Sequence, residues 1–368
     1  MKKCLLVTTD YPPQRGGVAG YWARVSESMP SDRWLVLTSV SAKSGDDQGA
    51  EVWRKPLLGL LIWPRWLRGV WTSYETYKAT KSELIVAAQV LPVGSMAYLL
   101  HKFFRIPYVV QVYGMDLALA RQHPRKARLA KRVLLSAQAI IANSEATAAL
   151  LADFSVPNER VTVVYPVPTQ PKHEAKQMEQ LRQQHQLQGK RIVLTVGRLV
   201  ERKGQDKTLE ALALLAPTLH DLVYVIVGDG PYRQPLEQQA NRLGVQALFL
   251  GEVSDAERDA WINLCDIFAM PSRALPGDME GFGMVFLEAA ACAKPVVAGN
   301  SGGVAEAVMD KQTGLLVDPN SALAISEAIK LLLNDAAMAK RLGEQAQKRY
   351  QEYWNWSHMV ERLKQRLV

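Results

Sequence analysis

Only three cysteines occur in the 368 residues, Cys4, Cys265 and Cys292, and they form no CxxC pair. That excludes a disulfide-stapled scaffold and a cysteine zinc site, and it fits a reducing compartment. The six histidines are scattered without metal-ligand spacing. No apolar stretch reaches the roughly 18 residues of a membrane span. The N-terminal MKKCLLVTTDYPP starts basic, but its apolar run is too brief for a signal peptide and no small-residue cleavage site follows. A cytoplasmic protein is expected. No recognisable RNA- or DNA-binding module is present, so nucleic acid is not expected as a partner.

What is present is the composition of an ordinary globular chain, 48% hydrophobic and 22% charged, at a length that suggests two domains. The net charge of +8 is unevenly placed: residues 1–168 hold 21 Lys and Arg against 12 Asp and Glu, and the remainder 23 against 24. All the excess positive charge lies in the N-terminal half, which suggests a polyanionic partner such as an anionic membrane surface or a phosphorylated substrate.

Short β-branched runs recur at 4–9, 34–40, 84–89, 108–114, 139–144 and 161–166, with helical patterns between several of them, as at 20–29 and 124–137. A polar, Gln-rich segment follows, and the alternation restarts at 191–197, 222–230, 247–253, 266–272, 295–303 and 314–318. Strands alternating with long helices imply parallel sheets built from right-handed βαβ units. The expected fold class is α/β, with two Rossmann-like doubly wound domains facing across a cleft. The expected division is a first domain at 1–168, a linker at 169–190, a second domain at 191–350, and a C-terminal helix at 351–368 packing back toward the first. The tail 335–368 reads as helix with a break near Trp354–Trp356. Ligands of such sheets bind beyond the carboxyl ends of the strands, which directs attention to the loops there.

After the first strand comes TTDYPPQRGGVAGY, with Gly16 and Gly17 just before a helical pattern starting near Gly20. Paired glycines let backbone amides approach an anion, although an ordinary flexible turn reads the same way. In VGRLVERKGQD, Arg198 and Lys203 stand just past a strand end, where they can neutralise a diphosphate. In DMEGFGMVFLEAAACAKPVVAGNSGG, Glu280 and Glu288 flank glycines that lead into a helix at about Gly283. The amides of Gly283, Met284 and Val285 then point at an anion. Glu288 falls about a turn inside an otherwise apolar helix, where a carboxylate needs a polar partner such as a ribose diol. Each glutamate singly also reads as a dipole-stabilising or structural acid.

EGFGMVFLE resembles the E-x7-E motif of retaining GT-B glycosyltransferases, especially glycosyltransferase family 4. RGG, GRLVERKG, VGDGP, LGEVSD, MPSR and SGG…TGLLVDP fall in that family's order along nearly the whole chain. The look is nearest to phosphatidylinositol mannosyltransferase-like bacterial enzymes, which use GDP-mannose. The resemblance implies GT-B architecture, an acceptor-binding N-terminal domain and a donor-binding C-terminal domain. It implies that Gly16 and Gly17 contact the donor diphosphate and that Arg198 and Lys203 hold its phosphates. Glu280 would bind the transferred sugar and Glu288 the ribose, while backbone near Gly228, Val253 and Ser254 meets the base. No cofactor or metal is implied, the nucleotide-sugar being a substrate. Retention is assigned in this family to a front-face mechanism in which the leaving phosphate helps deprotonate the acceptor.

One departure lies in VVQVYGMDL, where Tyr113 stands at the family's usual histidine. A phenol can donate and accept a hydrogen bond but does not titrate near neutral pH. Asp116 reads either as a sugar- or acceptor-side group or as a helix N-cap. On the acceptor side, residues 53–71 mix four tryptophans with arginine, lysine and leucine, and 121–132 is strongly basic. Both suit peripheral attachment to an anionic membrane surface and a lipid-linked or glycan acceptor, against a buried loop and a solvated basic helix. The competing functions are transfer from a UDP-sugar, a nucleotide-sugar epimerase, and a catalytically silent sensor.

Overall fold

The computed structural model describes residues 1–14, 16–40, 50–59 and 63–368. Arg15 of the RGG motif and residues 60–62 of the Trp-rich stretch lie outside the described residues. The chain divides into two compact units, one of Met1–Pro166 with Trp356–Val368, the other Val167–Asn355.

The first unit carries seven strands: β1 (Cys4–Thr8), β2 (Trp34–Thr38), β3 (Glu51–Arg54), β4 (Leu84–Ala87), β5 (Tyr108–Val112), β6 (Ala139–Ala142) and β7 (Val161–Val163). They lie in the order β3-β2-β1-β4-β5-β6-β7, and every pair is parallel. The second unit has β8 (Arg191–Val196), β9 (Leu222–Val227), β10 (Ala247–Gly251), β11 (Ile267–Met270), β12 (Val296–Gly299) and β13 (Leu315–Val317). Their order is β10-β9-β8-β11-β12-β13, again parallel throughout. Central strands such as CLLVT and LIVA are buried at every position, as a parallel sheet covered on both faces requires. Each sheet reverses its winding at one place, between β1 and β4 in the first unit and between β8 and β11 in the second. Ligands of doubly wound sheets bind at such switch points.

The structure departs from the sequence expectations in three places. β3 (EVWR) is half-exposed, and its charged ends gave no alternating signal. The helix after β1 starts at Gly17 rather than near Gly20 and runs to Glu27. Residues 169–190, expected as a linker, hold a helix at Ala175–Gln184 that belongs to the second unit and buries Leu181. The C-terminal helix pair is Ala336–Tyr353 and Trp356–Lys364. The last segment joins the first unit through specific bonds: Trp356 Nε1 donates to Ser28 Oγ at 2.9 Å, and Lys2 N–H to the Leu367 carbonyl at 2.9 Å. Arg24 lies 4.3 Å over the Trp356 ring. All three cysteines are free, and burial pushes each thiol up to about 12, so none offers a thiolate near neutral pH.

Candidate functional site

In the second unit the switch point assembles the functional side chains. The β8 strand ends at Val196, and the chain turns through Gly197, Arg198 and a short turn of 3-10 helix, Glu201–Lys203, into the helix Gln205–Leu215. The turn is pressed against the loop that leaves β11. Gly204 there has φ +74°, and a Cβ would sit 2.2 Å from the Pro271 carbonyl oxygen, so only glycine fits. Arg273, on the β11 loop, fixes the same turn. Its backbone N–H donates to the Arg202 carbonyl at 2.8 Å. Its guanidinium grips Asp206 with two bonds of 2.9 Å and reaches Glu201 at 3.3 Å.

This scaffold presents three cations with different partners. Arg198 is exposed, and its side chain makes no hydrogen bond or ion pair among the described residues. Lys203 is buried, and its Nζ donates to Glu280 Oε2 at 2.6 Å. Arg202 Nη1 donates to the same oxygen at 2.7 Å, and its Nε lies 2.8 Å from Asp278 Oδ1. Burial alone would raise the Glu280 carboxyl, but the charges and hydrogen bonds of Lys203 and Arg202 outweigh it and hold the group below the usual carboxylate range. Glu280 therefore contributes stability above that range, lost as pH falls through its depressed value.

Glu280 leads to Gly283, the N-cap of the helix Met284–Ala291. The amides of Gly283, Met284 and Val285 donate to no backbone carbonyl outside the helix among the described residues, and geometry denies them one within it. Glu288, one turn in, is partly buried. Burial raises its carboxyl above the usual range, with Arg258 opposing and Asp259 and Asp255 reinforcing. Its side chain makes no hydrogen bond among the described residues, so its carboxyl is free to accept from a ligand's hydroxyls.

The expected base-side groups are less free than the motifs suggest. Gly228 N–H already donates to the Gly251 carbonyl at 2.7 Å, so its amide is not open to a ligand. Ser254 Oγ caps the helix Asp255–Leu264 by accepting from Glu257 N–H at 3.2 Å. Val253 precedes that cap at the carboxyl end of β10.

In the first unit, Gly16 caps the helix Gly17–Glu27 with φ +148°, and a Cβ there would meet nothing within 4 Å. The backbone thus adopts a conformation disfavoured for other residues while facing open space. Across the switch point, Gln89 Nε2 donates to Thr9 Oγ1 at 2.9 Å, and Thr9 to Asp10 Oδ2 at 3.0 Å. Asp116 is not an N-cap, since Gly114 holds that position for the helix Met115–Arg121. Its carboxylate instead accepts the N–H groups of Tyr113 and Leu117, each at 3.0 Å, and of Val90 at 3.4 Å, tying the ends of β4 and β5 together. Burial raises the Tyr113 phenol well above its ordinary value, Tyr21 and Asp116 add to this, and the Trp22 indole opposes it. The hydroxyls of Tyr113 and Tyr21 and Nε1 of Trp22 are buried without a completed hydrogen bond.

Sequence reasoning singled out Arg198, Lys203 and Glu280, and the structure joins the last two directly. It missed Arg202, which stands inside the quoted GRLVERKG, and the Arg273–Asp206 pair, whose partners are 67 residues apart. Among the described residues no group of three or more His, Cys, Asp or Glu could hold a metal ion, and no helix is long and apolar enough to cross a membrane.

Known proteins bear on this arrangement. Residues 177–349 match the family described as "Glycosyl transferases group 1", and residues 16–166 the "Glycosyl transferase 4-like domain". The chain is 29% identical to the GDP-mannose-dependent alpha-(1-6)-phosphatidylinositol monomannoside mannosyltransferase of Mycolicibacterium smegmatis, over 98% of this chain and 96% of that one. It is 30% identical to alpha-D-kanosaminyltransferase of Streptomyces kanamyceticus, over 68% of this chain and 67% of that one. Among solved structures, Anabaena HepE in complex with UDP and glucose superposes with a TM-score of 0.85 at 24% identity, covering 100% of this chain and 99% of HepE. At that identity the likeness establishes a common fold.

Proposed function

Since the chain belongs to the group 1, family 4-like glycosyltransferases, we propose that it transfers mannose from GDP-mannose to a lipid-linked or glycan acceptor, with retention and without a metal ion. The observation that carries this reading is the switch point of the second unit. There Arg198 is unpaired, Lys203 sits on Glu280, and a helix N-terminus opens just beyond. Arg198 and Lys203 take the donor's phosphates, supported by the amides of Gly283, Met284 and Val285. Glu280 accepts the sugar's hydroxyls through its second oxygen, and Glu288 accepts the ribose diol. In transfer, the acceptor oxygen bonds to the sugar's C1 while the C1–O bond to phosphate breaks. The electron pair leaves with the nucleoside diphosphate, whose phosphate oxygen takes the acceptor's proton. The cations stabilise the charge that develops there, the work a metal does elsewhere. Mannose as the sugar rests on the Mycolicibacterium relative's name; a UDP-sugar donor is the second reading, favoured by the UDP in HepE.

Calorimetric titration with GDP, UDP and ADP separates the two. With EDTA present, GDP is expected to bind in preference to both others. A preference for UDP would discard mannose and keep the reaction class, whereas binding abolished by EDTA would overturn the metal-free reading.

The first unit supplies a surface suited to a lipid-linked acceptor. Trp71, Phe103 and Phe104 are 62%, 67% and 49% exposed. Tyr74 bridges Trp71 and Phe104, with ring centroids 5.9 and 4.4 Å away. Arg68, Lys102 and Arg105 stand beside these aromatics in sequence, and Lys102 Nζ lies 5.5 Å from the Phe103 ring. Exposed aromatics with cations close by in sequence suit the interface of an anionic leaflet. The protein is expected to sediment with vesicles containing phosphatidylglycerol and to be released by high salt. Trp71→Ser with Phe104→Ser should weaken that binding about tenfold or more. Equal binding to purely zwitterionic vesicles would sink the idea.

A further inference from the structure

Lys203 and Arg202 share a single oxygen of Glu280. If Lys203 serves the donor's phosphate, as the proposed function requires, Glu280 gives up part of one of its two cations when the donor arrives. We propose that Arg202 is the positioning residue of the donor site, holding Glu280 ionised and aimed at the sugar while Lys203 is drawn to the diphosphate.

The geometry divides the three cations of this loop by task. Arg198 is exposed and unpaired, open to a phosphate. Lys203 is a compact point charge on a flexible stem, able to lean between two anions. Arg202 is braced between carboxylates, Nη1 on Glu280 at 2.7 Å and Nε 2.8 Å from Asp278. Its backbone carbonyl is fixed by the Arg273 N–H at 2.8 Å. The side chains of Arg202, Lys203 and Glu280 are 15%, 10% and 11% exposed, so water screens little of their interaction.

Without donor, Arg202 and Lys203 balance Asp278 and Glu280. The diphosphate brings about two further negative charges, which Arg198 and Lys203 match. Arg202 alone then faces Asp278 and Glu280. Without it, a buried Glu280 would lie beside an anionic diphosphate with no cation of its own, and protonation would be its way out. A protonated Glu280 loses the charge-assisted hydrogen bond to the sugar, about twice as strong as a neutral one. Among the described residues the charged groups acting on Glu280 are Lys203 and Arg202, with Asp278 acting through Arg202.

The inference rests on the donor assignment above, so its test reads the sugar apart from the nucleotide. Arg202→Gln removes the charge, and Arg202→Lys keeps it in another shape. Calorimetry at about pH 5.5 to 8 on wild type and both variants compares GDP with GDP-mannose, and UDP with UDP-glucose in parallel. The gain in affinity from the sugar is read against the wild type at each pH, because the free nucleotide's terminal phosphate itself titrates at about pH 6 while the wild-type Glu280 stays ionised. In Arg202→Gln it should fall about tenfold at the acid end and recover as pH rises, since losing Arg202 raises the Glu280 carboxyl. Arg202→Lys should restore part of it. A sugar-dependent gain with the wild-type size and pH profile in Arg202→Gln would overturn the proposal. So would an equal loss for nucleotide and nucleotide-sugar, which would make Arg202 a phosphate ligand. If the wild type binds nucleotides but gains nothing from either sugar, the assignment of Glu280 fails and this inference with it. If it binds no nucleotide at all, the proposed function itself fails.

Discussion

Lys203→Ala is expected to lower sugar transfer by about 10²–10³-fold, the range for removing one preorganised donor from a developing oxyanion. Lys203 is buried at the carboxyl end of the β8 loop, where a positive charge meets little competition from water. Its value should grow as the bond to the sugar breaks and charge gathers on the departing phosphate. The rate constant should therefore fall more than donor affinity does. The fold should survive, because Glu280 keeps Arg202 at 2.7 Å and is not left as an unpaired buried charge. That separates this site from a buried pair with no third member, where losing one partner costs about 3–5 kcal/mol. Initial rates of nucleoside diphosphate release in the presence of acceptor, read beside thermal unfolding, test both halves. An unchanged rate would remove Lys203 from the phosphate clamp. A lost rate with a collapsed unfolding midpoint would mean that the residue acts through structure.

The two doubly wound sheets were legible because their strands are short, β-branched and buried on both faces. RIVLTV, LVYVIV and CLLVT carry no interior charge of the kind a helix would need on its wet face. EVWR was not legible, since an edge strand with half-exposed residues has no buried face to print a pattern. The helix Ala175–Gln184 hid in a Gln-rich run whose one buried side chain is Leu181. Arg198, Lys203 and Glu280 could be picked out because they follow strand ends, where ligands bind. Arg202 sits on the same turn, yet nothing in sequence says that both adjacent cations meet on one carboxylate, 78 residues from Arg202. Gly228 shows the converse: its backbone amide looked available because the partner that occupies it, Gly251, is set by folding.

Arg273→Ala should produce the largest loss of stability. The guanidinium is 6% exposed and meets an Asp206 side chain that is 10% exposed, through two parallel bonds of 2.9 Å. Bidentate pairing of this kind satisfies both carboxylate oxygens. Truncating Arg273 leaves Asp206 buried without its cation, which costs about 3–5 kcal/mol. For a unit of this size each kcal/mol moves the midpoint by about 2–4 °C, so a drop of about 6–20 °C is expected. The same change loosens the turn that presents Arg202 and Lys203, because Arg273 also reaches Glu201 from within that turn at 3.3 Å. Donor binding should weaken even well below the new midpoint. Replacing both partners by apolar residues, Arg273→Met with Asp206→Leu, separates the two effects. It removes the stranded charge and should recover much of the stability, but it does not restore the bond to Glu201, so donor binding should stay impaired. A midpoint shift under about 2 °C for Arg273→Ala would show that water reaches Asp206 and that the pair contributes no more than a surface salt bridge.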